Sequence, residues 1–150
     1  CELTSATTRN FAKFDAHVAR RAALGAYERA GLGPKDIDVA EVHDAAPFGE
    51  IFMTELLGFC PMGEGGPLAE RGETRIGGRI PVNPSGGLES KGHPIGATGL
   101  GQIYELTQQL RGNAVARQVS GARTALQENS GGLLGIDEGA AVVTILQRQT

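Results

Sequence analysis

Three short stretches carry residues that could do chemistry. They are His43-Asp44 in EVHDA, His93 in KGHPIGATG, and Asn129 to Gly132 in QENSGG. Each lies where a predicted strand ends or a predicted helix begins. A neutral imidazole has one donor and one acceptor, and the partner of one ring nitrogen fixes the role of the other. At a strand end, His43 could donate to a substrate oxygen on which negative charge develops. The plainer alternative is a histidine that caps the following turn. His93 stands between Gly92 and Pro94; the proline keeps the preceding residue extended, and Gly96 and Gly99 allow close packing. This spacing fits a catalytic base presented on a loop, or an ordinary glycine-rich helix entry. A helix N-terminus also attracts anions, but the Lys-Ser/Thr ending of a Walker loop is absent. In the third stretch, the backbone N–H groups of Gly131 and Gly132 could form an anion hole, or the segment could be a plain β-turn. Asn129 could donate or accept locally.

Other reactive types are weaker candidates. Cys60 has no histidine near it in sequence to lower its pKa, so it reads as structural. Glu50 is close enough to the His43 loop to line a site, whereas Glu55 reads as an ordinary helix residue. His17 reads as a surface or packing residue on a helix.

The elements that must position these groups follow from periodicity. Alanines at 12, 16, 19, 23, 26 and 30 predict an amphipathic helix over 11–30, ended by Gly31 and Gly33-Pro34. Ile37, Val39 and Val42 predict a short strand that stops at His43-Asp44. A second helix is predicted from Pro47 to Leu57, with proline in its first turn. Residues 60–87 have no sustained period and read as a long irregular excursion with a short helix near 67–71. Loops of that length are usually functional or cover another subunit. A third helix is predicted over 98–111, with Leu100, Ile103, Tyr104, Leu106 and Leu110 on its apolar side. The segments 123–129 and 139–148 read as strands, with SGGLLGIDE as the turn between them. Helices therefore cover a mostly buried sheet, in an α/β arrangement where ligands sit at loops after strand ends.

Composition narrows the function classes. The chain has 150 residues, 21% charged and 40% hydrophobic, with a net charge of −3. That is enough for one domain with a real core, and it argues against nucleic acid, whose partners are usually basic. No apolar run approaches the roughly 20 residues of a membrane span. Two cysteines give neither a disulfide framework nor a metal-ligand spacing, so no metal site is expected and a cytoplasmic setting is. The 23 glycines are roughly twice the ordinary share and cluster at 63–101 and 131–139. The opening CELTSATTRN reads as the middle of something longer, so a fragment is expected, with self-association or low stability when isolated.

Taken together and in this order, the three loops resemble the C-terminal half of the thiolase superfamily. AYERAGLGPKDIDVAEVHDA is similar to the helix and strand leading to the family's NEAF motif, or HDCF in the sterol-carrier-protein type. GGLESKGHPIGATGLGQIYELTQQLRG resembles the GHP motif and its helix. ALQENSGGLLGIDEGAAVVTIL resembles the last hairpin, which carries C-x-G or N-x-G. The resemblance covers residues 15–148 and is nearest to sterol-carrier-protein-like and archaeal-type thiolases.

What the resemblance implies is specific. The fold would be half of an αβαβα layered structure, with a mixed five-stranded sheet and helices on both faces. The N-terminal thiolase half, with its nucleophilic cysteine, would lie outside this chain. The protein would form dimers or tetramers, and would make or break carbon–carbon bonds in 3-oxoacyl-CoA thioesters. Coenzyme A would be a substrate, with no tightly bound cofactor. His93 would activate the nucleophilic cysteine and help hold a thioester oxygen. His43 would donate to the enolate oxygen, and Gly131 would lend a backbone N–H to the second oxyanion site. Asp44, Gly92, Asn129 and Gly132 would support or contact substrate. The sequence has no cysteine at either motif: it reads His43-Asp44-Ala45-Ala46 where the sterol-carrier type has HDCF, and Asn129-Ser130-Gly131 in place of C-x-G. Thiolase-fold retro-aldolases for steroid side chains also lack parts of the cysteine set. They and the archaeal-type thiolases pair with a zinc-ribbon OB-fold protein, which makes such a partner an expectation here. A non-catalytic acyl-CoA or lipid-binding subunit is the reading from another class.

Overall fold

The computed structural model describes residues 1–5, 14–134 and 137–149. Its strands are β1 (Glu2–Ser5), β2 (Val39–Glu41), β3 (Thr124–Leu134) and β4 (Asp137–Gln147). Its α-helices are α1 (Val18–Ala30), α2 (Pro47–Leu56), α3 (Gly65–Glu70), α4 (Gly87–Lys91) and α5 (Thr98–Arg111). None of the described helices is long and apolar enough to cross a membrane.

The sheet order is β1-β4-β3-β2. β3 and β4 pair antiparallel from Thr124↔Gln147 to Leu134↔Asp137, β1 adds antiparallel to β4, and β2 adds parallel to β3 with Val39↔Ala125 in register. The sheet is therefore mixed, as expected, but among the described residues it has four strands rather than five. The position beyond β2 holds only one bridge, Ala40↔Val82, where Ala40 N donates to the Pro81 carbonyl at 2.9 Å and Asn83 N to the Ala40 carbonyl at 2.8 Å. Pro81 and Pro84 flank that bridge. Proline has no N–H to extend a ladder, so a fifth strand cannot grow there.

Strand alternation separates two cores. Leu126, Ala141 and Val143 face α1 and α2, together with Ala40 and Val42. Ala125 and Val39 face the other way, packing with Leu106 and Leu110 of α5. Helices thus cover both faces. On α1, Ala19, Ala22 and Ala23 are fully buried, and their small side chains allow close approach to the sheet. The helix begins at Val18, not at residue 11, because His17 caps it: His17 Nδ1 accepts from Ala19 N at 3.2 Å. Positions 11–13 lie outside the described residues. The His17 ring also packs edge-on against Phe52, at 5.3 Å between centroids, which is the packing role expected of it.

Helix α5 has the predicted span but a different inner face. Leu100 and Tyr104 are 74% and 66% exposed, while Gln102, Glu105 and Gln109 are buried beside Leu106 and Leu110. The buried amides are bonded: Gln102 Nε2 donates to the Glu128 carbonyl at 2.9 Å, and Gln109 Oε1 accepts from Val119 N at 2.8 Å. A buried polar group that is bonded carries little penalty, so a polar face can point inward. The strands also run further than expected. Pairing continues through Ser130↔Ala141 and Gly131↔Ala140, so most of the predicted turn is ladder; residues 135–136 lie outside the described part.

Candidate functional site

The site begins where β2 ends. Val42 N donates to Asn83 Oδ1 at 2.8 Å, and His43 N donates to Glu128 Oε2 at 3.0 Å. These bonds fix the backbone beyond the last strand pair and aim the His43 ring toward β3. There its Nδ1 meets Asn129 Oδ1 at 3.2 Å. The next residue, Asp44, is buried, and its Oδ1 accepts from Leu88 N at 2.7 Å. That bond ties the His43 turn to α4, the element leading into the His93 loop.

Gly86 and Gly87 have φ of +92° and +61°, the left-handed region open to glycine. A Cβ on Gly87 would lie 1.9 Å from Asp44 Oδ2. Gly92, at φ +85°, turns the chain out of α4. His93 follows, and Pro94 closes the loop: its carbonyl accepts from Ala97 N, Thr98 N and Thr98 Oγ1 at 2.9, 3.0 and 3.0 Å. Thr98 Oγ1 also lies 3.5 Å from His93 Nδ1. The result is that His43 and His93 meet, with ring centroids 4.8 Å apart and planes at 81°.

Both rings open into one cavity of about 830 Å³, lined also by Ala45, Thr98, Asn129, Gly131 and Gly132. Of the residues singled out in the sequence, His43, His93, Asn129, Gly131 and Gly132 line this cavity; Asp44 and Gly92 do not, and act by shaping its loops. Burial holds the His43 imidazole below its ordinary range; the Asn129 bond acts against that, and the nearby His93 acts with it. Burial and His93 both favour the neutral imidazole, the form that can act as a base.

Residues 3–148 match the family model described as thiolase C-terminal domain-like. The chain belongs to that family. It is 55% identical over 128 residues to sterol carrier protein 2 of Rattus norvegicus, covering 85% of this chain and 22% of that protein. It is 49% identical over 140 residues to an acetyl-CoA acetyltransferase of Methanothermobacter thermautotrophicus, covering 93% of this chain and 35% of the relative. A solved structure titled Ltp2-ChsH2(DUF35) aldolase superimposes with a TM-score of 0.68 at 23% identity, over 89% of this chain and 33% of that one, a likeness of fold. The chain thus spans about a fifth to a third of the length of these relatives.

In this thiolase-like domain no cysteine lines the histidine cavity among the described residues. Cys60 lies in a separate cavity of about 410 Å³, with Arg20, Lys35, Phe59 and Arg79. Burial first, then the Glu55 carboxylate, pushes its thiol up, which disfavours the nucleophilic thiolate and fits a structural role. Glu50 faces elsewhere: its Oε2 accepts from Asn83 Nδ2 at 2.9 Å, away from the histidines. Sequence reading passed over Glu128, Ser130 and Thr98. The available signal was Glu128 itself, an acid on the apolar-facing phase of a strand, two residues after buried Leu126.

Proposed function

We propose that this domain forms half of the active site of an acyl-CoA enzyme that makes or cleaves a carbon–carbon bond at the 3-position of a CoA thioester. One observation carries the reading: two imidazoles from separate loops meet in one cavity that Gly131 and Gly132 also line. Breaking the bond between C2 and C3 leaves an electron pair on C2, which delocalises onto the thioester oxygen. That enolate oxygen needs preorganised donors, each worth about 10²–10³ in rate. His43 and His93, whose rings meet in the cavity, would supply such donors through their Nε2 atoms. Donation by His43 requires the proton on Nε2, the tautomer set when the Asn129 carboxamide turns its Nδ2 toward Nδ1. Gly131 and Gly132 offer backbone N–H groups to the second carbonyl.

In thiolytic cleavage, a cysteine thiolate from the rest of the protein attacks the C3 carbonyl. The C2–C3 bond breaks, the enolate takes a proton, and the acyl group passes from cysteine to the coenzyme A thiol. His93 takes the proton from the cysteine. Retro-aldol cleavage is the second reading, favoured by Ala45 standing where the sterol-carrier type has a thiol and by Asn129 standing where common thiolases have one. There a base removes the 3-hydroxyl proton, the C2–C3 bond breaks, C3 becomes a carbonyl, and C2 is protonated.

Ile95, Leu100 and Tyr104 form an exposed apolar stripe beside the site, at 90%, 74% and 66% exposure. An N-terminal thiolase half packing here would complete the layered fold and bring the nucleophile. Assembly as a dimer or tetramer, and pairing with a zinc-ribbon OB-fold protein, belong to the same reading.

The test uses the full-length protein. With 3-oxoacyl-CoA plus coenzyme A, it should release a shortened acyl-CoA. Release of an aldehyde or ketone from 3-hydroxyacyl-CoA, with no thiolysis, would replace this reading by the aldolase. Acyl-CoA binding without turnover in either assay would leave a non-catalytic carrier.

A further inference from the structure

Glu128 has no place in the chemistry above, yet it sits directly behind it. It is completely buried on β3. Its Oε2 accepts the His43 backbone N–H at 3.0 Å, and its Oε1 is hydrogen-bonded to the Ser130 hydroxyl. Successive strand residues point to opposite faces. Glu128 therefore holds His43 by its backbone from one face, while Asn129 meets the ring from the other at 3.2 Å. Two consecutive residues grip one histidine.

The surroundings of this carboxyl favour the uncharged acid. From β4 the charged group acting on it is Glu138, another acid; from the turn after β2 it receives only the His43 N–H. From α1 the buried residues on this face are apolar apart from Tyr27, whose hydroxyl donates to the Leu57 carbonyl. From α5 the Gln102 amide bonds the Glu128 carbonyl, not the carboxyl. Burial, with Glu138 adding to it, pushes Glu128 up to about 8.

We propose that Glu128 is a positioning residue for His43 that works as the protonated acid, so that its ionisation places a negative charge against the His43 turn and ends the productive state of the histidine pair. The catalytic part of this rests on the function proposed above; the placement and charge state do not. Glu128 accepts the His43 N–H at one oxygen and the Ser130 hydroxyl at the other, and as the acid it holds both without a buried charge. As a carboxylate it would lie in an apolar core beside Glu138, and would favour the imidazolium form of His43 over the neutral one.

The experiment follows His43 ring resonances by NMR in the full-length protein with labelled histidine. The expected result is an inflection near pH 8 that disappears in Glu128→Gln, which keeps an acceptor for the His43 N–H but cannot ionise. An absent inflection, or one that survives Glu128→Gln, overturns the proposal. Stability gives a reading independent of turnover. A carboxyl raised from 4.5 to about 8 on folding contributes fully below the lower value and loses that contribution as pH rises through the upper one. Melting temperature should fall more steeply across that window in the wild type than in Glu128→Gln; identical profiles overturn it. In turnover, the alkaline limb of kcat should move up by at least about one pH unit in the Gln variant. Glu128→Leu, which removes the acceptor, should lower kcat by about tenfold to a hundredfold. If the Leu variant does not fold, the NMR and melting profiles of the Gln variant decide.

Discussion

Replacing His93 with alanine lowers kcat of the full-length protein by at least about 100-fold, the usual scale for a positioned acid–base group. The substitution is well placed to be clean. His93 lies on an exposed loop, where its Nδ1 lies 3.5 Å from Thr98 Oγ1, so little of the fold depends on it. A second readout follows from the ring pair. Burial and the nearness of His93 both hold His43 below its ordinary range. Removing the His93 ring weakens both effects, so the His43 pKa rises in His93→Ala, measurable by NMR titration. A variant with kcat near the wild type and an unmoved His43 would separate the two rings functionally.

The second large effect is structural. Gly87→Ala should destabilise the protein by about 3 kcal/mol and damage the site. The glycine sits at φ +61°, where a side chain costs about 1–3 kcal/mol. The added Cβ would also lie 1.9 Å from Asp44 Oδ2 and 2.5 Å from its Cγ, so Asp44 must turn away. That breaks its bond to Leu88 N at 2.7 Å, leaving a buried N–H unsatisfied at a further cost of about 1–3 kcal/mol. Because this bond joins the His43 turn to α4, the histidines should drift apart as well. Denaturant unfolding reports the first effect and turnover at a temperature where the variant is folded reports the second. A stable, fully active Gly87→Ala protein would show that the Asp44–Leu88 link does not position the site.

Much of the site was legible in the sequence because its signals are local. Gly92, Pro94 and Gly112 punctuate the chain, so the His93 loop and the span of α5 follow from a few neighbouring residues. Meeting of the two imidazoles was expected through the family resemblance, and the geometry has it. What stayed hidden depends on distant partners. The inner face of α5 is set by Gln102, Glu105 and Gln109, whose burial is tolerable only because β3 and the segment at 117–119 supply their bonds. β1 is four residues whose partners lie at 140–143, far beyond any window that reads periodicity. The fifth strand failed at Pro81, where a ladder donor is missing. Glu128 was overlooked because nothing nearby in sequence shows that its carboxyl reaches His43, 85 positions away.

The most direct measurement is a crystal structure of the full-length protein with a non-cleavable 3-oxoacyl-CoA analogue. The thioester oxygen should lie within hydrogen-bond reach, about 3 Å, of the Nε2 atoms of His43 and His93, with the 3-oxo group toward Gly131 and Gly132. An analogue bound in the Cys60 cavity, or lying in the histidine cavity with neither imidazole on a carbonyl oxygen, would contradict the account.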